Sequence, residues 1–340
     1  MKTEPLKLAV IYDPLCPKLG PDSYSSTYAD MLLAVMERFA PNIQQVVMSQ
    51  SAEDIEADVI LIYDIHSSHK IAIDGLEDHK AVKYTYFNDP HQQEFVGRYK
   101  DGPKVHKLGP QQRVSRAIER GIDYIICPYK NGYFKHIAPW MNDPDGDMLF
   151  WFPPAPSIKR FPEALRTRPL AERKHKILGN GIQHPSGPGM PYEFRNWAFA
   201  QKNTYYVKHA IERPEVPKGL EYVKLLSQFA GGLALCDWYV VPKYLEIPLA
   251  GCVCFAQEQQ DYRDMGFQHG IHCVYVSDKE DFEIHTEIFR DCRDIETSFQ
   301  AIADAGRKLI EDNWTAECFA DALYNHALKR VQPNSKGLQL

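Results

Sequence analysis

The chain has 340 residues and a formal net charge of −6, with 44% hydrophobic, 25% charged and 12% aromatic side chains. That length is generous for one core and comfortable for two domains, and the composition excludes a disordered, collagenous or fibrous protein. The acidity argues against a general nucleic-acid binder.

No apolar run is long enough to span a bilayer, and MKTEPLKLAVIYDP at the N-terminus lacks the pattern of a cleaved leader. The eight cysteines are scattered through apolar runs, as expected for reduced thiols in a cytosolic protein. Cys252 and Cys254 lack a second pair, so no zinc site is expected there.

In chain order, residues 6–13, 43–49, 58–64, 81–87 and 123–129 are rich in Val, Ile and Tyr without strict alternation. Such runs predict strands covered on both faces. Helical patterns fall at 25–39, with Met31, Leu32, Val35 and Met36 on one face, and at 109–120. Strand–helix alternation of this kind predicts a mostly parallel, doubly wound α/β sheet.

Residues 140–170 are rich in proline and lack helical periodicity, as expected of a crossing between domains. Within them, NDPDGDM carries alternate acids but reads as a turn, not as a metal loop. The rhythm restarts at HKILGNG (175–181) and continues through NTYYVKHA, GLALCDW, CVCFA and HCVYVS, with long helices from 296 to about 330. The expected organisation is a first α/β domain at 1–155, a linker at 156–173 and a second α/β domain at 174–315. A C-terminal helix at 316–340 stays with the second domain or crosses back to the first. A ligand is expected in the cleft between the two domains.

Charge is uneven. Residues 157–212 hold ten Lys/Arg against four Asp/Glu, which suits an anionic ligand or a solvated face. In VVPKYLEIPLAGCVCFA (240–256), Pro242 suits the first helical position and Gly251 a C-terminal cap. Lys243 and Glu246 then share one face near the helix start, while Leu245 and Leu249 pack on the sheet. Pro248 removes one helical hydrogen bond and should shorten or kink the helix. The pair reads as a simple ion pair or as a nucleotide site, in which a carboxylate accepts ribose hydroxyls and an ammonium neutralises phosphate.

This segment resembles the donor-nucleotide element of GT-B glycosyltransferases, and KYLEIPLAGCVCFA resembles most the CgeB-like (spore-maturation) group. YRDMGFQHGIHCVYVSDKEDFE (262–283) and SFQAIADAGRKLIEDNWTAECFADAL (298–323) are similar to later elements of that group. The resemblance implies two Rossmann-like domains, a nucleoside-diphosphate sugar donor bound by the second, and no metal or other cofactor. It implies a ribose role for Glu246. Lys243 stands where the group more often has arginine; lysine keeps the charge but loses the bidentate fork.

After the first strand of the second domain, residues 178–191 form a Gly/Pro-rich loop and 192–201 a helix, a seat for a pyrophosphate. Arg195 adds a charge there, Gly181 ends the strand, and Asp237 with Trp238 can edge the base. UDP is favoured over GDP. Transfer with inversion needs a base at a strand's carboxyl end in the first domain. Asp89 ranks first, His91 second and Asp13 third, with Asp64 and His66 also in reach; each also suits a turn or a cap. A retaining reaction needs none of them. The acceptor is open: a DNA-base transfer of the phage type, disfavoured by the acidity, and a non-catalytic nucleotide-sugar sensor both stay as alternatives.

Overall fold

The computed structural model describes residues 5–13, 19, 27–46, 51–63, 73–90, 95–98, 104–181, 192–208 and 217–331. The chain divides into two compact units, the first made of residues 1–20, 28–153 and 319–340, the second of residues 21–27 and 154–318.

The first unit begins β1 (Leu8–Tyr12), α1 (Thr27–Phe39, of which Thr27 is grouped with the second unit), β2 (Ile43–Val46), β3 (Val59–Tyr63) and β4 (Val82–Tyr86). A hairpin of β5 (Phe95–Arg98) and β6 (Lys104–Lys107) follows, then α2 (Pro110–Glu119), β7 (Tyr124–Cys127), α3 (Lys130–His136), α4 (Ala138–Met141) and β8 (Leu149–Trp151). Its six-stranded sheet runs β2-β1-β3-β4-β7-β8, parallel throughout. Val59, Ile60, Leu61 and Ile62 are all fully buried, which is why this strand is a continuous apolar run. In α1, Tyr28, Met31, Leu32, Val35 and Phe39 are buried at helical spacing, whereas Leu33 faces solvent.

The proline-rich stretch holds an element the sequence did not announce: β8, three residues long, pairs in parallel with β7. NDPDGDM is a turn. Buried Asp143 accepts hydrogen bonds from the Tyr133 hydroxyl and from the backbone N–H groups of Asp147 and Met148.

The second unit contains α5 (Glu163–Arg166), β9 (Lys174–Gly181), α6 (Glu193–Phe199), β10 (Thr204–Lys208), α7 (Gly219–Leu226) and β11 (Phe229–Ala234). Then come α8 (Lys243–Leu249), β12 (Val253–Gln257), α9 (Gln260–Asp264), β13 (Val274–Val276), α10 (Lys279–Asp291) and α11 (Ile295–Asn313). The five-stranded sheet is parallel, in the order β10-β9-β11-β12-β13. β11 starts and ends earlier than GLALCDW suggests, so Asp237 and Trp238 lie beyond its carboxyl end.

Residues 156–173, expected as a linker, belong to this unit instead. Phe161 and Leu170 are fully buried, and the buried Arg173 guanidinium donates to the carbonyls of Leu165, Arg168 and Ala250. A segment that buries its aromatic and aliphatic side chains cannot behave as a free tether. The last helix, α12 (Ala316–Val331), lies with the first unit from Phe319 onward. There Phe150, Tyr84 and Tyr124 surround the His326 ring, and the Tyr84 hydroxyl lies 2.6 Å from His326 Nδ1.

Candidate functional site

α8 is a short helix clamped at both ends. Pro242 takes the N-cap position in helical backbone, one residue earlier than its expected place, and the helix runs through Pro248 to Leu249. The proline deprives the Tyr244 carbonyl of its helical donor, and the buried Tyr262 hydroxyl supplies one instead at 3.0 Å. The carbonyl that Pro248 orphans therefore stays paired, and the helix runs one residue past the proline. Past the C-cap Ala250, Gly251 has φ +72°, and a Cβ there would lie 2.0 Å from the Arg166 carbonyl oxygen. Only glycine fits both the left-handed backbone and that approach.

With α8 fixed, Lys243 and Glu246 are fixed. Lys243 meets Arg195 of α6 at the end of β9. A Cβ placed on Gly181, whose φ is +140°, would lie 3.5 Å from Lys243 Nζ and 3.8 Å from Arg195 Cζ. Two cations from different helices therefore converge over a bare backbone, where the strand order reverses between β9 and β11. Burial, then the like charge of Arg195, brings the Lys243 ammonium down to about 8, against the opposite pull of Glu246. Lys243 has no carboxylate partner within 4.0 Å among the described residues. Arg195 lies on the Tyr192 ring, 3.7 Å from its centroid. The pyrophosphate seat foreseen at the loop before α6 falls largely outside the described residues, including Gly187 and Gly189.

Glu246 is only 4% exposed. Its Oε1 accepts from Arg160 Nη2 at 3.1 Å and from the Thr27 hydroxyl at 3.3 Å, while Oε2 takes no hydrogen bond among the described residues. Arg160 is itself buried in the pair. Sequence reasoning missed this partner. Its only signal was membership of the basic stretch at 157–212, part of whose excess is answered by distant acids: Arg166 pairs with Glu311 and Lys202 with Glu287. Beside the pair, Asn180 donates to the buried Tyr222 hydroxyl. Desolvation, then the Glu246 charge, pushes the Tyr222 pKa up.

Asp237, beyond β11, accepts from Gln257 Nε2 at 2.5 Å. Burial raises its pKa, opposed by that hydrogen bond. Trp238 is exposed.

In the first unit, Asp89 lies just past the carboxyl end of β4 with φ +47°, an uncommon backbone for a residue with a side chain. The buried Arg113 guanidinium holds the turn, donating to the Asn88 carbonyl at 2.6 Å, and the Asn88 amide donates to Asp89 Oδ2. Asp13 follows β1 directly. His91, Asp64 and His66 lie outside the described residues.

Two parallel-sheet α/β units of this kind define the GT-B fold. No protein-family model matches the chain, and no curated protein sequence matches it. Solved structures do. An alpha-glucosyltransferase in complex with UDP and a 13-mer DNA containing a HMU base superposes with a TM-score of 0.55 at 11% identity, over 95% of this chain and 99% of that one. AviGT4, a glycosyltransferase involved in avilamycin A biosynthesis, gives 0.53 at 12% identity, over 96% and 98%. HepE of Anabaena, in complex with UDP and glucose, gives 0.51 at 8% identity, over 95% and 100%. At these identities the likeness is one of fold.

Proposed function

We propose that this chain is a glycosyltransferase that takes a sugar from a nucleoside-diphosphate donor, with UDP preferred over GDP, and that its second unit binds the donor. The observation that carries the reading is the convergence of Lys243 and Arg195 over Gly181 at the strand-order reversal. Two cations facing an open backbone suit a diphosphate. Arg160 holds one oxygen of Glu246 and leaves the other for a ribose hydroxyl pair. The UDP carried by the GT-B structures of similar fold supports the nucleotide class.

Because two cations neutralise the diphosphate, the transfer is proposed to need no metal, and a chelator should leave it unchanged. Asp89 is proposed as the base if the reaction inverts, with Asp13 and His91 behind it. The left-handed backbone and the Arg113 clamp that present Asp89 support that order. The finer likeness to the CgeB-like group rests on the 240–256 segment and the two later stretches.

The test is a thermal-shift panel of UDP, GDP, ADP, CMP and dTDP with their sugar conjugates, followed by an assay of nucleotide release. A shift confined to one nucleotide and its conjugates, with release, supports the reading. No shift with any of them overturns it. A shift without release, unchanged across candidate acceptors, leaves a nucleotide-sugar sensor. Transfer to DNA would return the acceptor to the class bound by the DNA-containing structural neighbour.

A further inference from the structure

The second unit contains a cavity of about 430 Å³ next to the cation pair. It is lined by buried Phe194 and Gln257, half-buried Asp237 and the exposed run Ser277–Glu280. It adjoins the Lys243–Arg195 site through α6, which carries both Phe194 and Arg195, and through Asp237, whose carboxyl feels the Arg195 charge.

The polar groups facing this space are mainly acceptors. Gln257 is 9% exposed; its amide N–H is spent on Asp237, and its Oε1 has no hydrogen-bond partner among the described residues. A buried amide oxygen left unpaired is costly and calls for a donor from a ligand. Asp237, Asp278 and Glu280 add three carboxylates against the single ammonium of Lys279, which lies over the Trp197 ring. The start of α10 is not an anion seat, because Asp278 caps it by accepting from the Asp281 N–H and Asp281 in turn accepts from the Ser277 N–H.

We propose that this cavity receives the sugar ring of the donor and selects a neutral, hydroxyl-rich sugar over an acidic one. The inference rests on the donor reading above and names its substrate class. Ring hydroxyls donate to Gln257 Oε1 and to the carboxylates, whereas a uronate would place a further negative charge among them.

Calorimetry on the full chain with UDP, UDP-glucose and UDP-glucuronic acid tests it. The expected result is UDP-glucose binding at least about tenfold more tightly than UDP-glucuronic acid, from hydrogen bonds to charged acceptors gained by one and like-charge contact suffered by the other. Asp237→Asn and the variant Glu280→Gln, which is exposed and leaves the fold alone, should each narrow that ratio. UDP-glucuronic acid binding as tightly as UDP-glucose, or more so, overturns the inference and leaves the donor reading standing. A loss for bare UDP in Asp237→Asn equal to that for UDP-glucose also overturns it, returning Asp237 to the nucleotide. No binding of UDP or either conjugate overturns this inference, while the nucleotide panel above decides the donor reading separately.

Discussion

The two sheets share their first four positions. β2-β1-β3-β4 in one unit and β10-β9-β11-β12 in the other follow the same parallel plan, reversing direction after the first strand. At the carboxyl ends the plans part. The first unit surrounds its strand ends with neutral aromatics, Tyr28, Tyr63 and Tyr86, and presents the Asp89 carboxylate on a left-handed turn. The second brings Lys243 and Arg195 together at Gly181, the end of β9, and pairs Arg160 with Glu246. One scaffold thus serves two chemistries, and the difference lies in side chains, not in topology.

That contrast can be broken most severely at Gly251. Alanine there meets the Arg166 carbonyl and a left-handed backbone, and should cost about 3–5 kcal/mol, read as a lowered denaturation midpoint. Glu246→Ala comes next. A cleft-facing carboxylate would lose donor affinity and spare the fold, but this one also neutralises a buried guanidinium. Alanine should therefore cost about 3 kcal/mol of stability in addition to UDP affinity. Glu246→Gln should lose affinity with a smaller fall in melting temperature; equal stability losses would contradict the buried-pair account.

Lys243→Ala is expected to weaken UDP about tenfold and spare uridine, as one charge-assisted contact predicts. Equal losses for both would remove Lys243 from the phosphate. Its ammonium is depressed to about 8, so it is charged below that pH and neutral above it. UDP affinity should then decline as pH rises through 8, and calorimetry in two buffers should detect proton uptake on binding there. The smallest effect belongs to the first unit. Burial, then Arg330 and Lys329, holds His326 below its usual 6.5. The unfolded chain takes the proton first on acidification, so stability held above pH 6.5 should be lost progressively below it. His326→Phe should flatten that slope.

The sequence carried much of this, and the reasons are local. β3 and β12 were legible because both faces are buried, which leaves an unbroken apolar run. β8 was not, because three residues between prolines show no period. Lys243 and Glu246 were visible from helical spacing and a proline start. Arg160 was invisible in its role because its partner lies 86 residues away. The backbone of Asp89 was equally hidden, since a positive φ leaves no mark when the residue is not glycine.

The bond from Tyr262 to the Tyr244 carbonyl has a consequence for synthesis. Pro248 removes a local contact within α8 and Tyr262, eighteen positions downstream, restores it. A chain emerging from the ribosome must leave the Tyr244 carbonyl to water until Tyr262 has followed α8 out, because the compensating contact is non-local. Lys243 and Glu246 are thus translated before the contact that completes their helix, and a product truncated before Tyr262 would carry both on a helix whose Tyr244 carbonyl lacks its protein donor.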